Sequence, residues 1–520
     1  MGEQTLPAHL TGSFLQAVHR NGCFDDGKRF ADAVPRADPE DLTHWFERER
    51  SDPDFDLHTF VGDHFDVPAD IELAPPHSPA ESITEHITTL WKSLHRPQER
   101  YDQYDTLIPL PNDHIVPGGR FREGYYWDSY FIAEGMAATG RYDVVRDMVE
   151  NFGYLIERYG YVPNGNRRYY LGRSQLPLFS KMIELLGEQD NGSSILEFLP
   201  ALATEYRFWM DGNGPGESTD GVGDRVLDLG PAVLNRYWDD SNQPRPESYR
   251  RDYHIGQGVT ASDRPALYRD IRAACESGWD FSSRWLADPH DIRTIRTTSL
   301  LPVDLNASLW YMERKLADWS VLADDYETAE RYREAAETRR RAITAHCWDH
   351  SAGYFFDYAW TDDQRVDRWT LAGVAPLFFG LATPEQAKSV AATLENRFLE
   401  PGGLCTTLTR TNQQWDAPNG WAPLQWMAVH GLRNYGHVDL ADLIKQRWLT
   451  TTQSVFDRTG ELVEKYDVTD STQEAGGGEY PPQQGFAWTN AVVLALEHEP
   501  RSERLDTRFE PGMIDDGSPA

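Results

Sequence analysis

Apolar positions recur at a spacing near 3.6 through much of the chain, and each such stretch predicts an amphipathic helix. The pattern runs through residues 83–94, 142–159, 196–209 and 305–322, and returns in 387–398, 424–432, 440–449 and 486–496. The 387–398 stretch has a marked start, with Thr383 in the N-cap position and Pro384 as the first helical residue. Proline is tolerated there because that N–H has no intrahelical partner anyway. Between the helices lie long polar stretches of Gly, Pro, Asp and Trp, with few convincing period-two strands. The pattern predicts an all-α fold. Many helices with loops gathered at one end suggest helical hairpins in a ring, although ring closure does not follow from patterning.

Residues 1–65 break the pattern. They are rich in Asp, Pro and Arg with isolated aromatics (Phe14, Phe24, Trp45, Phe60), and are expected to form an extension, partly disordered, that packs on the main body of residues 66–500. Residues 501–520 are polar and predict a fraying tail.

Composition narrows the possibilities. The 520 residues are 40% hydrophobic and 26% charged, ordinary for a globular protein with a large core. No run of about 18 apolar residues exists, so no membrane span is expected. The first residues lack a basic stretch followed by an apolar one, which predicts a cytoplasmic protein without a cleavable signal. The 83 acids exceed the 50 bases, for a net charge of −33, and such a field repels nucleic acids and anionic membranes. Beyond solubility, that surplus fits adaptation to high salt. Cys23, Cys275, Cys347 and Cys405 are scattered and predict neither a zinc site nor a disulfide framework. His346 and His350 have a helical metal-binding spacing but no third ligand, and read as ordinary helix residues. No phosphate loop, dinucleotide loop, HExxH or GxSxG motif appears, so no cofactor is expected.

The densest chemistry lies in residues 117–130, where a Pro-Gly-Gly turn leads into two arginines, two acids and five aromatics. Aromatic faces, forked guanidinium donors and carboxylates together suit a neutral polyhydroxylated ligand, hence a sugar. Three further clusters set acids beside aromatics: Trp279-Asp280-Phe281, Trp415-Asp416, and Glu464 to Asp467. With Trp127-Asp128 they read as four acid-bearing loops. Glycoside hydrolysis needs two carboxyl groups, and composition alone does not say which.

Residues 117–130 resemble the first signature of the trehalases, which cleave α,α-trehalose into two glucoses, and residues 414–423 resemble the second. The resemblance implies an (α/α)6 toroid with a sugar pocket at one mouth, residues 66–500 forming the catalytic domain, and an inverting hydrolysis. Residues 274–285 are similar to the segment carrying the general acid, which falls on Asp280, and residues 462–468 to that carrying the general base, which falls on Glu464. The implied sugar-binding shell comprises Arg120, Trp127, Asp128, Asn164, Arg173, Ser174, Gln175, Arg245, Pro246, Glu247, Gly278 and Glu479. Glycines before Glu479 resemble a covering lid, though Glu474 and Ala475 stand where more glycine is usual. The expected partner is trehalose alone, with the chain acting as a monomer. Alternative readings are a hydrolase of another small glucoside, a phosphorylase-like enzyme, or a trehalose-binding protein without catalysis.

Overall fold

In the computed structural model, residues 6–68, 82–98, 103–210, 224–230 and 233–499 are described. The expected tail at 501–520 lies outside them. Twelve helices build the main body: α1 (Ile83–Leu94), α2 (Tyr126–Ala138), α3 (Tyr142–Tyr159), α4 (Phe179–Gln189), α5 (Ser193–Met210), α6 (Val303–Leu322), α7 (Tyr326–His346), α8 (Ala375–Phe378), α9 (Pro384–Thr393), α10 (Ala422–Asn434), α11 (Val438–Thr459) and α12 (Ala487–His498). The even-numbered helices line the inside of an (α/α)6 toroid, and the odd-numbered ones form the outer layer.

Local chemistry sets several boundaries. Ser82 and Glu85 make a reciprocal capping box at α1, and Thr383 and Gln386 make another at α9, where Pro384 takes the first position as expected. Gly160 and Gly460 end α3 and α11 in the left-handed conformation that favours glycine. The 387–398 stretch changes character inside its predicted span: α9 stops at Thr393 and continues as a π turn over Leu394–Phe398.

The periodicity reading overlooked α2, α4, α7, α8 and the helix Arg264–Glu276. Helix α2 is buried on nearly all sides, so it carries no polar stripe. Its tight packing closes the ring. A Cβ on Gly135 would lie 2.5 Å from the Ala491 Cα of α12, so only glycine lets these backbones approach. At the α4–α6 seam, Glu184 accepts hydrogen bonds from the Tyr311 hydroxyl and from Lys315 Nζ. Helix α7 was hidden for the opposite reason: its buried stripe is narrow and mostly alanine within a charged surface.

Residues 6–66 are ordered into a layer of their own. Helices Gly12–Arg20, Pro39–Glu49 and Leu57–His64 pack around Phe14, Phe30, Phe46, Phe60 and Phe65. That aromatic cluster continues into Tyr125, Tyr169, Tyr170 and Tyr249 of the main body. Strands are two or three residues long among the described residues, and one pairing matters for chemistry: Asn419–Trp421 runs antiparallel to Lys465–Asp467. It places the second signature beside Glu464.

Candidate active site

The N-terminal ends of α2, α10 and α12 meet at one mouth of the toroid, where a cavity of about 650 Å³, including its opening, lies between them. Trp127 and Asp128 reach it from the first turn of α2, so this pair is helical, and Trp488 from the first turn of α12. Trp421 reaches it from the residue before α10. Three indoles form a stack beneath it. Trp415 lies 3.9 Å from Trp421 at an interplanar angle of 4°, and 5.4 Å from Trp279 at 18°.

Asp280 lines the cavity on the turn that follows Arg264–Glu276. The turn needs Gly278 with φ of +78°, because a Cβ there would meet the Trp127 ring at 2.8 Å. The second signature wraps this turn, since Gln414 Nε2 donates to the Asp280 carbonyl at 2.6 Å and the Trp415 N–H donates to Phe281 O at 3.1 Å. Among the described residues, no side chain hydrogen-bonds the Asp280 carboxyl. Burial, and next the nearby charge of Glu479, push its pKa up to about 7 against the opposing pull of Arg245.

Glu464 faces the same cavity in different company. Lys465 Nζ sits 2.7 Å from its carboxylate and also donates to Gln414 Oε1 at 2.8 Å. Burial raises the Glu464 pKa, and Lys465 works against that rise. Asp128 is a further acid of the cavity. Burial, followed by the charges of Asp280 and Glu464, lifts it to about 8.

Arginines surround these acids, each fixed by its own carboxylates. Arg173 donates to Asn164 Oδ1 at 2.8 Å, Glu247 at 2.9 Å and Asp239 at 3.1 Å. Arg245 pairs with Asp252 at 2.7 Å and Glu479 at 2.9 Å, and also approaches the Cys275 sulfur at 3.2 Å. Arg120 pairs with Asp26. Gln175 Oε1 accepts from the Trp127 N–H at 3.0 Å.

Of the fourteen residues named from sequence, twelve line the cavity and two do not. Ser174 instead donates to Val162 O at 2.6 Å, holding the loop that presents Asn164 and Arg173. Pro246 opens the short 3-10 turn Pro246–Ser248, which presents Glu247. Sequence reasoning missed Phe121, Tyr170, Cys275 and Tyr480 as lining residues. Phe121 lay inside the first signature, Tyr480 beside Glu479, and Cys275 inside the segment 274–285 that carries Asp280.

Two other expectations change. Asp416 is buried outside the cavity lining, where it accepts from the Ser282, Ser283 and Thr411 hydroxyls at 2.6–2.9 Å and ties loops together. His346 ends α7 while His350 sits in the following turn and accepts from Trp348 Nε1 at 3.2 Å, so they do not share a helix. Of the glycines of the expected lid, Gly477 and Gly478 are closely packed, whereas Gly476 has open space around it. A Cβ on Gly477 would meet Asn412 O at 2.7 Å. Glu479 next to them is tied down by Arg245 and Arg251, each at 2.9 Å.

A family model described as trehalase matches residues 22–498. The chain belongs to the trehalase family. It is 46% identical to a periplasmic trehalase of Pseudomonas aeruginosa over 501 residues, covering 95% of this chain and 91% of that protein. A periplasmic trehalase of Salmonella schwarzengrund is also 46% identical, with 94% and 86% covered. Among solved structures, the neutral trehalase Nth1 of Saccharomyces cerevisiae superposes with a TM-score of 0.60 at 30% identity, covering 75% of this chain and 74% of that one. A glycoside hydrolase family 63 mannosylglycerate hydrolase from Thermus thermophilus shares the fold, at a TM-score of 0.53 and 19% identity, with 80% and 99% covered. The cytoplasmic placement read from the first residues does not stand, because relatives this similar along nearly the whole chain are periplasmic trehalases. The absence of a recognisable leader in those residues was too weak a signal to decide a compartment.

Proposed function

We propose that this protein hydrolyses α,α-trehalose to two glucoses with inversion, and that it does so in the periplasm. The observation that carries the reading is the contrast between two carboxyls facing one cavity, Asp280 and Glu464. Among the described residues no cation is bonded to Asp280, and its pKa is pushed up to about 7, which suits a group that holds its proton and gives it to the glycosidic oxygen. Glu464 touches Lys465 at 2.7 Å, which favours the ionised form a base needs to take a proton from water. Water attacks the anomeric carbon as the bond to the leaving oxygen breaks, so one glucose leaves as the β anomer and the other as the α anomer.

The arginines and acids around the cavity hold hydroxyls of both rings, and the stacked indoles give the site apolar walls. Arg173 and Arg245 are already clamped by carboxylates, so they hold the sugar hydroxyls in place without reorganising. Asp128 protonated is a hydrogen-bond donor to a sugar oxygen. We read the chain as acting as a monomer on trehalose.

A proton NMR time course with α,α-trehalose in phosphate-free buffer, at low and high KCl, tests the reading. Equal early α- and β-glucose signals are expected, ahead of mutarotation. Glucose 1-phosphate formed only after phosphate addition would replace hydrolysis with phosphorolysis, and no reaction would favour another glucoside.

A further inference from the structure

The N-terminal layer does more than cover the toroid. Asp26 accepts from Arg120 Nε at 2.8 Å through Oδ2 and from Arg120 Nη2 at 2.7 Å through Oδ1. This two-point fork leaves the guanidinium only one plane. The same Oδ1 accepts from the Lys28 N–H at 3.0 Å, which fixes Asp26 in its own turn. Two residues on, buried Lys28 Nζ lies 2.7 Å from both Asp32 and Glu123. The segment from Asp26 to Asp32 therefore grips the loop from Arg120 to Glu123 at both ends. On the cavity side, the Arg120 guanidinium lies 4.6 Å from the centre of the Tyr480 ring, and its backbone N–H donates to Gln483 Oε1 at 2.8 Å. The family match begins at residue 22 and so includes this segment.

We propose that Asp26, contributed by the N-terminal layer, is a positioning residue that aims Arg120 at the sugar in the active site. The proposal rests on the reading of Arg120 as a sugar contact. Asp26 itself lines the outer approach to the cavity together with Arg120, Tyr480 and Gln483, and does not line the inner chamber with Asp280 and Glu464. Its effect on the reaction passes through the guanidinium. Without the carboxylate, Arg120 keeps its ring contact but loses both in-plane acceptors, and a long flexible side chain is released at the entrance to the site.

Asp26→Asn isolates this effect. Asparagine keeps Oδ1 as acceptor for the Lys28 N–H and for Arg120 Nη2 but removes the negative charge and sets an N–H against Arg120 Nε, so shape survives and the two-point fork does not. Asp26→Ser, which keeps one acceptor for the Lys28 N–H, takes its place if the asparagine variant does not fold. The measurement is kcat and KM for α,α-trehalose in the unaltered protein, Asp26→Asn, Arg120→Met and the double variant, with thermal midpoints alongside. Asp26→Asn is expected to lower kcat/KM roughly 10- to 100-fold, the scale of a misplaced substrate-positioning group. Arg120→Met is expected to lower it at least as far, and adding Asp26→Asn to it is expected to change nothing further. A normal rate in Asp26→Asn, or losses that multiply in the double variant, would overturn the proposal and leave the sugar site standing. A normal rate in Arg120→Met would instead remove the reading beneath it.

Discussion

Two groups of carboxyls, one around Arg284 and the other at the cavity, behave in opposite ways. Four residues after Asp280, the Arg284 guanidinium is forked by Asp357 at 2.7 and 2.9 Å and by Asp304 at 2.8 Å through both oxygens. Burial works against the charge of Arg284, and the two carboxylates more than offset it. Every charge there has a bonded opposite. In the cavity, Asp128 is as deeply buried and Asp280 is half-buried, yet among the described residues no cation touches either, and both pKa values rise toward neutrality. Different partners yield a rigid brace in one place and a proton reservoir in the other.

The comparison is broken most severely at the reacting acids. Asp280→Asn or Glu464→Gln is expected to lower kcat roughly 10²–10⁴-fold, the range for a general acid or base, while trehalose still binds by calorimetry. A near-normal kcat in either would remove that residue from the mechanism. Arg284→Met strikes the brace instead. It leaves Asp304 and Asp357 without their shared cation and is expected to cost about 3–5 kcal/mol of stability, read as a lowered denaturant midpoint. Retained stability would show that those acids find other partners.

The smallest effect is the pH response. Asp280 must be protonated to act, and its pKa is raised to about 7, so kcat/KM falls as pH rises through 7. Glu464 must be ionised and its pKa is raised above the ordinary value, so activity falls again on the acid side, above the usual carboxylate range. The same Asp280 shift weakens the fold as pH climbs from about 4 to 7, because the unfolded chain releases that proton first. A flat profile from pH 6 to 8 would contradict the assigned acid.

The contrast was half legible in the sequence. Outer helices such as α1 and α3 carry one wet face, so their 3.6 spacing marks them to the residue. Helix α2, which carries Trp127 and Asp128, has almost no wet face and gave no such mark. The acid and base segments were visible only through resemblance to a family, since nothing local separates Asp280 from Asp416 in its own Trp-Asp pair. What separates them is long-range: Ser282, Ser283 and Thr411 satisfy Asp416, and no side chain among the described residues satisfies Asp280. The first 65 residues looked like an extension because their aromatics are spaced irregularly. They are held by a three-dimensional cluster that no periodicity encodes.

The division of labour between the two cavity carboxyls is tested most directly with α-glucosyl fluoride, whose leaving group needs no proton. Asp280→Asn is expected to hydrolyse it within about tenfold of the unaltered protein, the acid having become dispensable, while Glu464→Gln stays as inactive as on trehalose because water still needs its base. Rescue of Glu464→Gln, or equal failure of both variants, would contradict the roles assigned here.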